Sequence, residues 1–452
     1  MSANNVFEQK FNTAKLLKFS FPSIIMMLVL SMYQCVDGLF VSNYVDTNGL
    51  GAINIVYPFI FVGLGISLML GSGGSALIGK ALGEGKKENA NSIFTFLIFV
   101  ALTIAILTGI VGSVFIDEIV VFLGATDAYF DMGKQYLQIH FYFIVFYYLQ
   151  NIFQTFFVTA SKPKIGLVTT IFSGIVNIFL DYLFIAIFKF GIKGAALATG
   201  ISYLIPTVTG LIYFSLNKNA LLKFSKFEIN LKELWHTCVN GSSEMLSNIA
   251  CSVTTFIYNY QFYKFYSDTG VDSITIVLYF QFFVSSMMYG FASGIAPIIS
   301  YKFGQQDDLQ IRIIKRRSLV LISILGIIGF GLSCILINPV AKLFAGGSIE
   351  VFNLTVENFS LFAFSLLFMG ISIFSSSYFT AINDGVTSLI ISTLRTLVFL
   401  SVCLVLLPLI FDSIGLWVST SVAEFLAVTL SICLILVKKV RFQPLVDRKI
   451  NE

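Results

Sequence analysis

The sequence predicts an all-α integral membrane protein: twelve transmembrane helices in two six-helix lobes related by a pseudo-twofold axis along the membrane normal. Three observations carry this expectation. Of 452 residues, 57% are hydrophobic and only 12% charged, with a mean hydropathy of +0.88. A water-facing protein carries about 25% charged residues, so little of this surface is built for water. Apolar runs long enough to cross ~30 Å of hydrocarbon recur along the chain. The second half also repeats the first. The run length and the 48 Phe point to helices, since β-barrel strands read as ~10-residue alternating segments.

In order, the runs fall at roughly 16–45, 50–80, 90–115, 130–160, 164–188, 193–216, 236–266, 272–302, 313–338, 350–382, 386–411 and 414–437. Span one holds Pro22, which removes a backbone hydrogen bond and predicts a hinge, and then Asp37. It is too long for a signal h-region and lacks a small-residue cleavage site, so no cleavable leader is expected. Span two is thinned by Gly71, Gly73 and Gly74. Span five carries Asn177 and Asp181, four residues apart and therefore on one helix face. Span six carries Ala195 and Thr199 at the same spacing, with Gly194 and Gly200 permitting close helix approach. The polar segment 217–235 bears lysines and reads as a linker lying on the membrane surface. Span seven begins near Glu244, span eight contains Met287, Met288 and Tyr289, span eleven Arg395 and span twelve Glu424. The expected units are an N-lobe (1–216), the linker (217–235), a C-lobe (236–438) and a tail (439–452).

Lys and Arg set the orientation. With both termini cytoplasmic, inside segments hold 22 of the 28 basic residues, outside loops five, and Arg395 lies within a span. This is the positive-inside bias, so the net charge of +4 follows topology and no nucleic-acid partner is implied. Sliding the chain by 221 residues superposes the halves without a gap. Gly73 falls on Gly294, Gly83 on Gly304, Thr159-Ala160 on Thr380-Ala381, Gly194 on Gly415 and Thr199 on Thr420. Repeats of even span number share one topology and enclose a cleft.

A charge in hydrocarbon costs at least ~2.5 kcal/mol and normally faces a polar cavity where it works. Asp37, Asn177, Asp181 and Thr199 bring oxygens from three spans of one lobe, a donor set that suits Na⁺. Two carboxylates in such a pocket do not both stay ionised cheaply, so the same set suits H⁺. The repeat supplies a control: Asp37 maps to Tyr258, Asn177 to Val398 and Asp181 to Val402. Residues present in one half only carry chemistry, while a shared Thr199/Thr420 also fits packing. Arg395 and Glu424 read as an ion pair between neighbouring helices. The six scattered Cys read as small buried hydrophobes. Neither lone histidine, His140 nor His236, has the neighbours a metal needs. The chain shows no Walker-type phosphate loop and no nucleophile–base pair, so neither an ATP-driven pump nor an enzyme is expected.

These residues resemble the multidrug and toxic compound extrusion (MATE) transporters of bacterial type. The resemblance rests on four stretches: Phe19-Ser20-Phe21-Pro22 followed by Asp37; Gly71 through Gly79-Lys80-Ala81-Leu82-Gly83-Glu84-Gly85; Asn177 with Asp181; and Lys193 to Thr199. It implies a secondary-active antiporter of a bacterial cytoplasmic (inner) membrane, exporting cationic, often aromatic drugs in exchange for Na⁺ or H⁺ and conferring drug resistance. The cation site of that family corresponds here to Asp37, Asn177, Asp181 and Thr199, with Ala195 contributing backbone. One branch also uses acidic residues deep in the C-lobe. This chain has Ser252 and Val253 at that part of span seven and, beyond Glu350 and Glu357 in its first two turns, no carboxylate in span ten, so coupling is expected in the N-lobe alone. No cofactor beyond the coupling ion is expected, and the expected partners are organic cations or other amphipathic drugs and membrane lipid, with the protein a monomer. Cation–π contact and flexible Met make Tyr33, Gln34, Met287, Met288 and Tyr289 the candidate drug contacts. The alternative is a flippase for phospholipid or lipid-linked oligosaccharide, whose pyrophosphate needs a cationic cleft; a receptor or uncoupled channel is a third reading.

Overall fold

A computed structural model describes residues 6–45, 47–217, 219–345 and 348–438, and within them the protein is helical throughout its spans. Long apolar helices form because backbone polar groups in hydrocarbon must bond within their own segment. In chain order the spans are α1 (Thr13–Tyr44), α2 (Thr47–Gly83), α3 (Lys87–Val114), α4 (Asp127–Thr159), α5 (Pro163–Ile187) and α6 (Ile192–Leu216). The second set is α7 (231–266), α8 (268–304), α9 (Asp308–Phe344), α10 (Ile349–Ala363 with Ser365–Ala381, bent by 48°), α11 (385–410) and α12 (413–437). A short helix, Ile116–Phe122, links α3 to α4.

Small polar caps start several spans. Asn12 accepts from the N–H of Lys15, Asn230 from Lys232 and Glu233, Asp307 from Gln310, Ser348 from Val351 and Asp384 from Thr387, satisfying orphan donors of each first turn. The turns between α7 and α8 and between α11 and α12 are so tight that each pair is nearly one helix. Ser267 (φ 54°) reverses the first and Asp412 (φ 48°, ψ −136°) the second. Residue 412 is 221 after Gly191 (φ 60°, ψ −140°), and Gln306 (φ 59°) is 221 after Gly85 (φ 77°). The duplication read in the side chains is therefore also present in the backbone.

The lobes press together near the end that carries both termini. A methyl group on Gly83 would lie 2.0 Å from the carbonyl oxygen of Tyr301, and one on Gly304 2.1 Å from that of Lys80. Gly73 meets Thr237 O at 2.1 Å and Gly241 meets Met69 O at 2.0 Å in the same sense. Along α1, Ser23 and Ile24 abut Gly290, Ser20 abuts Gly294, and the Ser31 and Ser286 hydroxyls bond at 3.3 Å. Only glycine allows backbones this close, which is why the matched pairs Gly73/Gly294 and Gly83/Gly304 are glycines. One hydrophobic core runs through both lobes on this side, containing Leu70, Ile78, Phe156, Phe291, Ile298 and Tyr378. The far half of the N-lobe has a separate core built on Val41, Val56, Tyr136, Leu137, Tyr147, Ala195 and Tyr203.

The segment 219–235 runs along α3. Leu222 is fully buried, Phe224 packs on Phe94, Phe227 packs on Phe96 and Phe99, and Asn91 and Thr95 accept from the N–H groups of Lys223 and Ser225. Leu222, Phe224 and Phe227 thus pack on protein, while Ile229, Leu231 and Trp235 are exposed. α1 runs from Thr13 to Tyr44 with Pro22 inside it.

At the termini-side end, the segment before α1 clasps the other lobe. Phe7 lies between Phe19 of α1 and Tyr301 of α8, with ring centroids 5.6 and 5.5 Å away. The Phe11 N–H donates to Gln310 at 3.2 Å, and Arg317 Nη1 donates to the Phe11 carbonyl at 2.8 Å. Both phenyl rings are buried. The tail 439–452 lies outside the described residues.

Candidate functional site

Three spans of the N-lobe converge through small residues. Gly166 and Gly174 of α5 let Met26 and Tyr33 of α1 approach to 3.2 and 3.4 Å of where a side chain would begin, and Gly194 of α6 admits the Phe184 backbone of α5 at 3.1 Å. Ser173 of α5 donates to the Ser202 carbonyl of α6 at 2.8 Å. These contacts set Asp37, Asn177, Asp181 and Thr199 around one spot. Asn177 and Asp181 are fully buried and Asp37 is 8% exposed. The carboxyl groups of Asp37 and Asp181 interact directly, and Asn177 Nδ2 donates to Thr199 Oγ1 at 3.5 Å. Ala195 is buried in the neighbouring core.

What these oxygens lack defines the site. Both oxygens of Asp181, Asp37 Oδ1 and Asn177 Oδ1 are buried and have no hydrogen-bond partner among the described residues. A buried acceptor without a donor costs about 1–3 kcal/mol, more when charged. Two facing carboxyl groups with no donor between them repel one another when both are ionised. The backbone marks the same place: six residues, Tyr182–Ile187, form a π-helical turn directly after Asp181, a distortion frequent at functional sites.

Apart from Tyr33, the wall around this spot is not marked in the sequence. Tyr136 of α4 lies within electrostatic reach of both carboxylates, and Tyr33 within reach of Asp37. Tyr57, Tyr147 and Tyr203 complete a cluster of phenols, Tyr147 and Tyr203 at 5.3 Å between ring centroids, with His140 5.0 Å from Tyr147. Nothing in their spacing marks them, because tyrosines from α2, α4 and α6 meet only once the helices pack. The duplicate half shows what such a position looks like without the chemistry. Tyr258 and Thr420, which match Asp37 and Thr199, close the equivalent gap with a hydroxyl–hydroxyl bond.

The C-lobe carries a different cluster. Arg395 Nε donates to both Glu424 oxygens, at 2.9 and 3.0 Å, with each side chain only 9% exposed, as the sequence suggested. Arg395 Nη1 reaches the Tyr289 hydroxyl at 3.5 Å, and Glu244 lies within electrostatic reach of the guanidinium. Arg395 also sits on a π-helical turn, Leu394–Phe399.

Of the candidate drug contacts, Met288 is corrected to a core residue. It is 1% exposed, its sulfur faces Gly370 at 3.1 Å and its methyl faces Gly329 at 3.9 Å. Met287 and Tyr289 are half-buried and pack on the same core. Tyr33 is buried against Gly174 beside Asp37, and the side chain of Gln34 lies outside the described part. Among the described residues, no three His, Cys, Asp or Glu side chains gather to hold a metal.

The sequence pattern of the MatE family matches residues 22–183 and 245–405, one stretch in each lobe. The multidrug export protein MepA of Staphylococcus haemolyticus is 25% identical over 428 residues, 93% of each chain. MepA of Staphylococcus aureus is 25% identical over 289 residues, and that match spans 64% of each chain, less than two thirds of the relative's length. Among solved structures, an outward-facing conformation of a multidrug resistance MATE family transporter superposes with a TM-score of 0.90 at 18% identity, covering 96% of this chain and 97% of that one. A MATE in the straight conformation gives the same score, identity and coverage.

Proposed function

The chain belongs to the MatE family, and on that premise we propose that it is a secondary-active exporter of cationic and aromatic drugs, coupled to H⁺ or Na⁺ through Asp37, Asn177, Asp181 and Thr199. The observation that carries this is the set of donor-free buried oxygens on α1 and α5. Donor-free buried carboxylates carry an electrostatic cost that a proton or Na⁺ relieves, and linkage then lets ion binding bias one arrangement of the lobes over another. The relatives named MepA are multidrug export proteins, which supports the same cargo class.

With both termini cytoplasmic, as the Lys and Arg bias argues, the closed end is the cytoplasmic one and this conformation faces outward. Export then proceeds by drug release to the outside, ion entry at Asp37 and Asp181, and rocking that opens the end now shut by Gly73, Gly83, Gly241 and Gly304. The flippase alternative has little support: Arg395, the basic residue inside a span, is already bound by Glu424 and is not free for a pyrophosphate.

The test is ethidium efflux from proteoliposomes with Na⁺ and pH gradients imposed separately. Wild type is expected to respond to at least one gradient. Asp37→Asn and Asp181→Asn are expected to lose gradient-driven efflux while remaining folded. Efflux at the wild-type rate in both variants, at equal incorporation, would refute the coupling site.

A further inference from the structure

The last turns of α7 and α11, at the end away from the termini, leave a groove between them. It holds about 310 Å³ and runs from Phe256 to Phe265 on α7 and from Val405 to Leu409 on α11. That is the lower end of the about 300–1,000 Å³ of small-molecule sites. Its mouth is exposed at Phe256, Tyr260 and Leu409, while Gln261 and Pro408 in its floor are buried. Both walls belong to the C-lobe.

The sequence explains the gap. Pro408 has no N–H, so the Leu404 carbonyl lacks its partner within α11. Gln261 Nε2 reaches across from α7 and donates to that carbonyl at 3.1 Å. The amide is thereby committed to protein, and apart from Lys264 and the Tyr260 hydroxyl the rest of the lining is hydrocarbon and aromatic ring. The duplicate half differs at this corner. Where α11 has Val405 and Leu409, α5 has Phe184 and Phe188, stacked with ring centroids 6.3 Å apart. The C-lobe has thus lost two phenyl rings from the wall.

Charge and length point to one occupant. Lys264 stands at the outer end of the groove, exposed, and among the described residues it forms no ion pair. Neither Asp268 nor Asp412, on the two turns beyond, is bonded to it. From Lys264 to Phe256 the helix descends eight residues, about 12 Å, close to the ~15 Å depth of one leaflet's hydrocarbon. A cation at the interface above an apolar channel one leaflet deep matches a lipid: headgroup first, then chain.

We propose that this groove binds one anionic phospholipid of the leaflet away from the termini, with its phosphate on the Lys264 ammonium and one acyl chain laid along Tyr260 and Phe256. Lys264 disfavours a cationic drug here. A zwitterionic lipid brings its own ammonium to compete for the phosphate. The site is independent of Asp37 and Asp181 and of the coupling proposed for them.

The test is native mass spectrometry of the full chain released from nanodiscs of equal parts phosphatidylglycerol and phosphatidylcholine. Wild type is expected to retain one phosphatidylglycerol in preference. Lys264→Gln is expected to lower the retained glycerol-to-choline ratio about fivefold, the scale of one basic residue at an anionic membrane surface. Val405→Phe with Leu409→Phe, which restores the N-lobe residues, is expected to reduce retained lipid of both classes. An unchanged ratio in the first variant, or undiminished lipid in the second, overturns the inference. So does a lipid-free dimer of wild type, which would mean that a second copy covers the groove. A further measurement needs no variant: a phosphatidylglycerol with a photoreactive diazirine in mid-chain is expected to label wild type at Phe256 and Tyr260. Labelling spread evenly over the lipid-facing helices overturns the inference.

Discussion

Asp181 puts stability and activity in opposition. Its two buried oxygens lack donors, so the folded state carries a desolvation cost that a neutral amide of the same shape avoids. Asp181→Asn is therefore expected to raise the unfolding temperature in detergent at neutral pH without Na⁺, while abolishing gradient-driven efflux; a thermal melt of purified protein checks the first half. Glu424→Gln is expected to do the reverse. It strands the Arg395 guanidinium, and breaking one side of a buried pair costs about 3–5 kcal/mol, so the same melt is expected to fall by several degrees. Asp37 and Asp181 stand out in the sequence as carboxylates within apolar runs, and Asn177 by sharing a helix face with Asp181. Tyr136, Tyr147 and Tyr203 were not, since an amphipathic phenol looks the same whether it faces lipid, core or site. Met288 was misread for the same reason: a flexible apolar side chain suits a drug pocket and a lobe core equally.

Among the elements, α2 and α8 depend on glycine where they cross. Because a Cβ on Gly83 meets a carbonyl oxygen at 2.0 Å, backbone must shift to admit any side chain. Gly83→Leu is expected to pry the termini-side end apart and favour the opposite conformation, seen as a longer distance between spin labels at the exposed Lys87 and Leu309 by pulsed electron resonance. The pairing of these glycines could be read from the 221-residue repeat, but their partners, Tyr301 and Lys80, required the packed helices. The π turns after Asp181 and around Arg395 have no sequence signature, because a register slip of one residue leaves the apolar pattern nearly unchanged. Outside the membrane, the start of α11 is pinned to the end of α12. Burial pushes the Asp384 carboxyl up, but hydrogen bonds from Thr387 and Lys438 outweigh it and hold the carboxyl below its usual range. A depressed value means the clamp contributes stability above the ordinary carboxylate pKa near 3.9 and loses it as pH falls through the lower, folded value. Acid is thus expected to weaken wild type more than Asp384→Asn, read as the pH dependence of the two melting temperatures.

For the whole molecule, the two-lobe plan followed from composition, run length and repeat, whereas the division of its interior did not. A single core welds the lobes on the termini side, and the far half of the N-lobe keeps its own; apolar residues alone cannot say which neighbours they will meet. This division makes the far end the one free to part without disturbing the weld. It also gives the clasp at Phe7 and Phe11 a mechanical meaning. Withdrawing two phenyl rings from cover costs up to about 1.5–3 kcal/mol each, so the clasp alone can weight the conformational balance by two to four orders of magnitude. In the proposed transport cycle Phe7 and Phe11 then act as a latch on the termini-side end. Phe7→Ser with Phe11→Ser is expected to shorten the time spent with that end closed, read as single-molecule dwell times.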